Sequence, residues 1–327
     1  MSFVNRDRPL RCRGRKIAVE GWLHLALLQR IRTTRLRLLI LAIDRVLITG
    51  ANSQLAAFIV QAFADREVIT QARQTLDVTD PGVVARTVAA IAPDLIVNCA
   101  AFNDVDGAES RAVEALAINA FAVRSLARAA DAAGATLVHY SSDFVLNSDS
   151  REPHDEELRP APRGVYASSK LLGEWFAQMS RRAYVLRVES LFGSPADWTG
   201  RRGTLDHIVD GLQQGREVKV FTDRIVSPSY SKDVAAATRH LVMSGAPPGV
   251  YHCGSDGYAS WHDVAAEAAR ILDVPARLVA ITVDQLPLRV PRPRYCALST
   301  KKLAAAGFAM PSWQDGLRRW LETRSRG

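Results

Sequence analysis

No stretch of this 327-residue chain runs unbroken through the roughly 18 apolar residues that a membrane span needs. The best stretch, from Trp22 to Ile43, is interrupted by Arg30, Arg32, Arg35 and Arg37. No apolar core followed by a small-residue cleavage site marks a secretory signal. Cysteine is scarce. Cys12, Cys99, Cys253 and Cys296 are scattered without metal-ligand spacing, which argues against a disulfide scaffold and against a metal module. Such free thiols suit a reducing compartment, so the expected location is cytoplasmic. Internal repeats and low-complexity linkers are missing from 45–327.

The body of the chain also lacks a charge imbalance. Residues 1–44 carry ten basic side chains against Asp7, Glu20 and Asp44, so they hold +7 of the formal +8. The basic balance therefore describes an extension, and it gives no reason to expect a nucleic-acid partner for the rest. Trp22, Leu23, Leu27 and Leu28 can form a short amphipathic helix among those arginines. With no strand pattern of its own, the extension is expected to be dispensable for fold and catalysis.

From Arg45 onward the pattern is regular. Val46-Leu47-Ile48, Leu95-Ile96-Val97, Thr136-Leu137-Val138, Tyr184-Val185-Leu186 and Val218-Lys219-Val220 are short apolar runs. Amphipathic helical stretches separate them, the first formed by Leu55, Phe58, Ile59, Ala62 and Phe63. Strands alternating with helices predict an α/β fold, a Rossmann-type doubly wound parallel sheet. After about Val188 the elements shorten and Pro228, Pro247, Pro248, Pro291 and Pro293 punctuate them. The expected division is a Rossmann domain over 45–190, with 218–246 returning to it, and a smaller C-terminal substrate-binding lobe from 191–217 and 247–327.

The first strand ends in Thr49-Gly50-Ala51-Asn52-Ser53-Gln54-Leu55-Ala56. A dinucleotide needs a tight strand-to-helix turn here, so that its pyrophosphate meets free N–H groups at a helix N-terminus. Ser53 stands where a second glycine is usual, and it is expected to crowd the phosphates. The second strand, around Val68-Ile69-Thr70, does not end in an acidic residue to grip a ribose hydroxyl, whereas Arg73 lies nearby. That leans towards NADPH over NADH. Asn98-Cys99-Ala100-Ala101 places small residues after the next strand, where a backbone can approach the cofactor closely.

The sharpest local signal is Tyr166-Ala167-Ser168-Ser169-Lys170, with Ser142 upstream. Tyrosine and lysine four apart share one helix face. Reducing a ketone with hydride requires a proton on the forming alkoxide. A phenol, with its usual pKa of about 10, gains acidity beside an ammonium. Ser142, at a strand end, can orient the carbonyl. Asn119, on the intervening helix, completes a proton-relay tetrad.

Over 45–327 the chain resembles the dTDP-4-dehydrorhamnose reductase family, within the extended short-chain dehydrogenases. The resemblance rests on Pro93–Ala101 running on through Val105-Asp106-Gly107-Ala108-Glu109-Ser110, and on His139–Val145, with Ser142 where threonine is usual. It continues in Ser227-Pro228-Ser229-Tyr230, Gly249-Val250-Tyr251-His252, Trp261-His262-Asp263 and Arg292-Pro293-Arg294.

The resemblance implies reduction of a 4-keto sugar on a nucleoside diphosphate, most simply a dTDP-linked one, in cell-surface polysaccharide biosynthesis. Tyr166 would be the general acid, Lys170 a pKa modulator and ribose ligand, and Ser142 the carbonyl orienter. Cofactor contacts would come from Gly50, Asn52, Ser53, Gln54, Leu55, Asp77, Val78, Ala100, Ala101 and Asn103, with Tyr166 and Lys170. Asp143 and Arg292 would contact substrate, with Arg294 a further diphosphate candidate. A homodimer is compatible with it. After Arg187 the family commonly has a tryptophan that stacks on substrate, and here Ser190 cannot stack. Two other readings stay open: a non-catalytic NAD(P)-binding regulatory subunit, and a sugar-nucleotide epimerase or dehydratase.

Overall fold

The computed structural model describes residues 43–148, 150–194, 198, 200 and 202–324. The basic extension as far as residue 42 lies outside them. Ile43 is already buried, and the N–H groups of Asp44 and Arg45 both donate to Asp94 Oδ2, at 2.9 and 2.8 Å. The body thus begins two residues earlier than the sequence boundary.

The chain runs through β1 (Arg45–Thr49), α1 (Gln54–Ala62), β2 (Glu67–Gln71), α2 (Pro81–Ile91) and β3 (Leu95–Asn98). Asp80 caps α2 by accepting from the N–H groups of Gly82 and Val83. Pro81 begins that helix, where a missing N–H costs nothing. A π-turn (Ala117–Phe121) leads into α3 (Ala122–Ala133), which Gly134 ends with a left-handed φ of +71°. Then follow β4 (Thr136–Ser142), α4 (Gly164–Gln178) and β5 (Ala183–Val188). The remainder holds β6 (Val218–Phe221), α5 (Ser231–Ser244), β7 (Gly249–His252), α6 (Trp261–Leu272) and β8 (Leu278–Ile281).

Six strands form one parallel sheet in the order β7-β5-β4-β3-β1-β2. Because side chains alternate along a strand, Val46, Ile48, Leu95, Val97 and Val138 enter one apolar layer with Leu55, Phe58 and Ile59 of α1 and Val234 and Leu241 of α5. Leu47, Ile96 and Leu137 enter the other, with Val84 and Val88 of α2 and Leu126 and Ala130 of α3. Full burial is worth roughly 1.5–3 kcal/mol per large aliphatic side chain. Both faces being covered, the strands read as continuous apolar runs.

The expected return of 218–246 to this sheet is corrected in two places. β6 pairs with β8 in a separate two-stranded sheet, while the strand beside β5 is β7. Of the 218–246 segment, α5 packs against α1 on the Rossmann sheet. Val218–Phe221 and Gly249–His252 are both four-residue, valine-bearing runs. A period-2 pattern that short does not specify which sheet a strand joins.

Candidate active site

The carboxyl ends of β1, β3, β4 and β5 meet at one edge of the sheet. Strand order reverses between β1 and β3, the place where open α/β sheets bind ligands. Gly50 takes φ +66°, and a Cβ there would lie 2.4 Å from Ala100 N and 2.6 Å from Cys99 C. Only glycine fits this approach, which brings Cys99 and Ala100 against the turn. The N-terminus of α1 follows directly and favours an anion through its dipole and free N–H groups. The cradle fits a dinucleotide pyrophosphate.

Ser53 has a structural partner of its own. It caps α1, its Oγ accepting from Ala56 N at 3.2 Å. The unpaired N–H groups of a helix start compete for any nearby acceptor, and the serine oxygen takes one. The cap is a role for Ser53 that the expected crowding of the phosphates did not include.

The rest of the cofactor set divides. Gln54 Nε2 donates to Ser231 Oγ at 3.0 Å, tying the starts of α1 and α5, while Leu55 and Val78 are buried in the apolar layers. Asp77 accepts from the Thr79 hydroxyl (2.7 Å) and N–H (2.9 Å), and that hydroxyl hydrogen bond holds its pKa below the usual carboxylate value. Asn52, Arg73 and Asn103 are exposed.

Tyr166 and Lys170 lie one turn apart on α4, and both are buried. Lys170 Nζ donates to Tyr140 O on β4 at 2.8 Å. Burial pulls its ammonium pKa down to about 8, against the opposing pull of the Glu174 charge. Ser142 ends β4, donating to Asp143 Oδ1 at 2.8 Å and accepting from Phe144 N at 3.2 Å. The Phe144 ring meets Tyr166 edge-on, with centroids 5.6 Å apart.

Asn119 sits on the π-turn. Its Oδ1 accepts from Phe102 N (2.8 Å), and its Nδ2 donates to Phe102 O and Ser169 Oγ (3.0 Å each). It pins the segment after β3 to the helix carrying Tyr166 and Lys170. In this geometry its hydrogen bonds go to Phe102 and Ser169 rather than into a relay with Lys170.

On the substrate side, the guanidiniums of Arg292 and Arg224 lie 5.9 and 5.5 Å from the centre of the Phe144 ring. Arg292 Nη2 is held by Asp106 Oδ2 at 2.6 Å. A cleft of about 1030 Å³ extends from Arg292 along Arg163, Tyr258 and Tyr295. Arg294 also lines it but is ion-paired with Asp284 at 2.5 Å.

Sequence reading missed Arg224, Glu189 and Cys296, which gather around Asp143. A second charge close behind Arg187, directly after the buried β5, was the one available signal for Glu189. Arg224 and Cys296 belong to no motif and reach the site only through folding.

The family model described as the RmlD substrate binding domain matches residues 44–326. The chain belongs to the dTDP-4-dehydrorhamnose reductase family. It is 33% identical over 287 residues to the dTDP-4-dehydrorhamnose reductase of Mycobacterium tuberculosis, covering 84% of this chain and 91% of that one. It is 34% identical to a probable dTDP-4,6-dihydroxy-2-methyloxan-3-one 4-ketoreductase of Streptomyces antibioticus, covering 84% and 93%. Among solved structures, a dTDP-4-dehydrorhamnose reductase from Bacillus anthracis in complex with NADP superposes with a TM-score of 0.80. It shares 30% identity and covers 85% of this chain and 99% of that one. A UDP-glucose 4-epimerase from Thermus thermophilus, at 21% identity and a TM-score of 0.73, shares the fold. As in the family generally, the chain is an NAD(P)-dependent oxidoreductase of the nucleotide-sugar type. No helix among the described residues is long and apolar enough to cross a membrane.

Proposed function

We propose that this chain reduces the 4-keto group of a dTDP-linked sugar with NADPH, as a step in polysaccharide biosynthesis. The observation that carries the proposal is the convergence of Ser142, Tyr166 and Lys170 beside the Gly50 turn at one sheet edge.

The turn at Gly50, the small residues Ala100 and Ala101, and the N-terminus of α1 hold the dinucleotide, which supplies the hydride when bound. Tyr166 gives its phenolic proton to the oxygen of the reduced carbonyl. Lys170 keeps a positive charge one helical turn from that phenol and favours its release. Its hydrogen bond to Tyr140 O holds the ammonium in place. Ser142 fixes the carbonyl oxygen against Tyr166, so that proton transfer occurs within hydrogen-bond reach. Arg292, drawn over Phe144 by Asp106, supplies a cation on the substrate side for the diphosphate. With this reading goes a cytoplasmic location, supported by the free thiols of Cys99, Cys253 and Cys296.

A second sugar is favoured by one observation. Ser190, where the family commonly carries a stacking tryptophan, adopts φ +43° and offers no aromatic face. The sugar is then held by the tyrosines of the cleft, Tyr258 and Tyr295.

Incubation with NADPH and dTDP-4-dehydrorhamnose tests the proposal. Net cofactor oxidation with formation of a 4-hydroxy sugar is expected. Altered sugar without cofactor consumption would make the chain an epimerase. Binding without turnover of any 4-keto sugar nucleotide would make it a regulatory subunit.

A further inference from the structure

Glu189 follows β5 and is almost wholly buried, at 1% exposure. Its Oε2 accepts from Ser227 N at 2.7 Å, while Oε1 has no partner among the described residues. Asp143 is in the same state. Its Oδ1 accepts from the Ser142 hydroxyl at 2.8 Å, and its buried Oδ2 is unpartnered. A carboxylate oxygen of each residue and the Cys296 sulfur lie within 4.8 Å of one another.

Two buried carboxylates this close repel and do not both ionise readily. One proton between them removes the repulsion and gives the pair a donor for its unpartnered oxygens. The other groups facing the pair agree with that count. Arg224, from the segment after β6, brings one positive charge, and the C-terminal stretch brings the neutral phenol of Tyr295 and the thiol of Cys296, a weak donor. One guanidinium with one shared proton leaves the cluster neutral. Burial raises the pKa of both carboxyls, and the Asp143 charge raises that of Glu189 further.

We propose that Asp143 and Glu189 share a single proton, and that Glu189 in its acid form occupies Asp143 so that the Ser142 hydroxyl is released to the substrate carbonyl. Ser142 has one proton to donate, and here it donates to Asp143. An Asp143 already engaged by Glu189 is a weaker competitor for it. Glu189 is thus a positioning residue for the carbonyl-orienting hydroxyl. This rests on the assignment of Ser142 to that role.

The test is the infrared spectrum of the full chain at neutral pH, read with steady-state kinetics. A carbonyl-stretch band of a protonated carboxyl is expected in the wild type and is lost in Glu189→Gln. Glu189→Gln, whose amide still donates, is expected to keep most of kcat. Glu189→Leu loses roughly tenfold in kcat, the worth of one hydrogen bond, with the KM for NADPH unchanged. Absence of the band in the wild type, its persistence in Glu189→Gln, or a wild-type kcat in Glu189→Leu would overturn the proposal. So would equal losses in the Gln and Leu variants. Should Glu189→Leu fail to fold, the wild-type and Glu189→Gln spectra decide alone. If Ser142→Ala turns over as the wild type does, the assignment of Ser142 fails instead.

Discussion

Arg187 donates through Nε and Nη2 to the two carboxylate oxygens of Glu174, at 2.8 Å each, and both side chains are almost completely buried. The pair joins β5 to α4, the helix that carries Tyr166 and Lys170. Removing one partner leaves an uncompensated charge in the core, which costs about 3–5 kcal/mol. Arg187→Leu is therefore expected to lower the melting temperature by on the order of 10 °C. An unchanged thermal scan would show that the pair contributes nothing net.

Tyr166→Phe is expected to lower kcat by roughly two to four decades, the range for one positioned acid. Affinity for NADPH should change little, because the hydroxyl supplies a proton more than a contact. Retention of more than about a tenth of wild-type turnover would remove Tyr166 from the acid role.

Lys170 links activity and stability to pH with opposite signs. In the folded chain its ammonium titrates at about 8, while an unfolded lysine holds its proton to about 10.4. Between these values the unfolded state binds more protons, so the Lys170 contribution to stability rises with pH. Turnover falls over the same window, as the charge beside Tyr166 is lost. Profiles of kcat/KM and of melting temperature against pH check this, and a kcat/KM that stays flat through pH 8 would contradict it.

Gly50→Ala places a methyl group against Ala100 and Cys99 at a positive φ. A non-glycine residue in such a conformation costs about 1–3 kcal/mol, before the backbone is moved to relieve the contact. Both melting temperature and NADPH affinity should fall. By contrast, Ser53→Gly removes a cap that glycine replaces at a cost of a few tenths of a kcal/mol. Its dissociation constant for NADPH should stay within about twofold of wild type, and marked tightening would establish the steric role of Ser53 instead.

A protein consisting of 43–327 is expected to match the full chain in melting temperature and NADPH turnover, since β1 and its anchor to Asp94 lie wholly inside it. Loss of either property would show that the extension contributes to the body.

Uninterrupted apolar runs made the sheet legible. Val46-Leu47-Ile48 and Leu95-Ile96-Val97 are buried on both faces, and that burial is written into their composition. The Tyr166–Lys170 spacing was legible for the same reason, since helix periodicity alone puts both residues on one face. The sheets that β6 and β7 join were not legible: the two strands look alike, and distant partners decide between them. The cap made by Ser53 was not legible, because the sequence does not show where its oxygen turns. Arg224 and Glu189 lie 35 positions apart and acquire meaning only beside Asp143.

The π-turn at Ala117–Phe121 sets a limit on how this gene can be edited. Asn119 lies within it, and a Cβ on Gly173 of α4 would come within 2.1 Å of the Asn119 carbonyl oxygen. Deleting one residue from the turn would restore a regular helix and rotate what lies on one side of it by about 100° relative to the other. Asn119 would then leave Phe102 and Ser169 together, and α4 would lose its seat. Insertions and deletions should accordingly be tolerated far less here than in the surface loops, even where every individual substitution in the turn is mild.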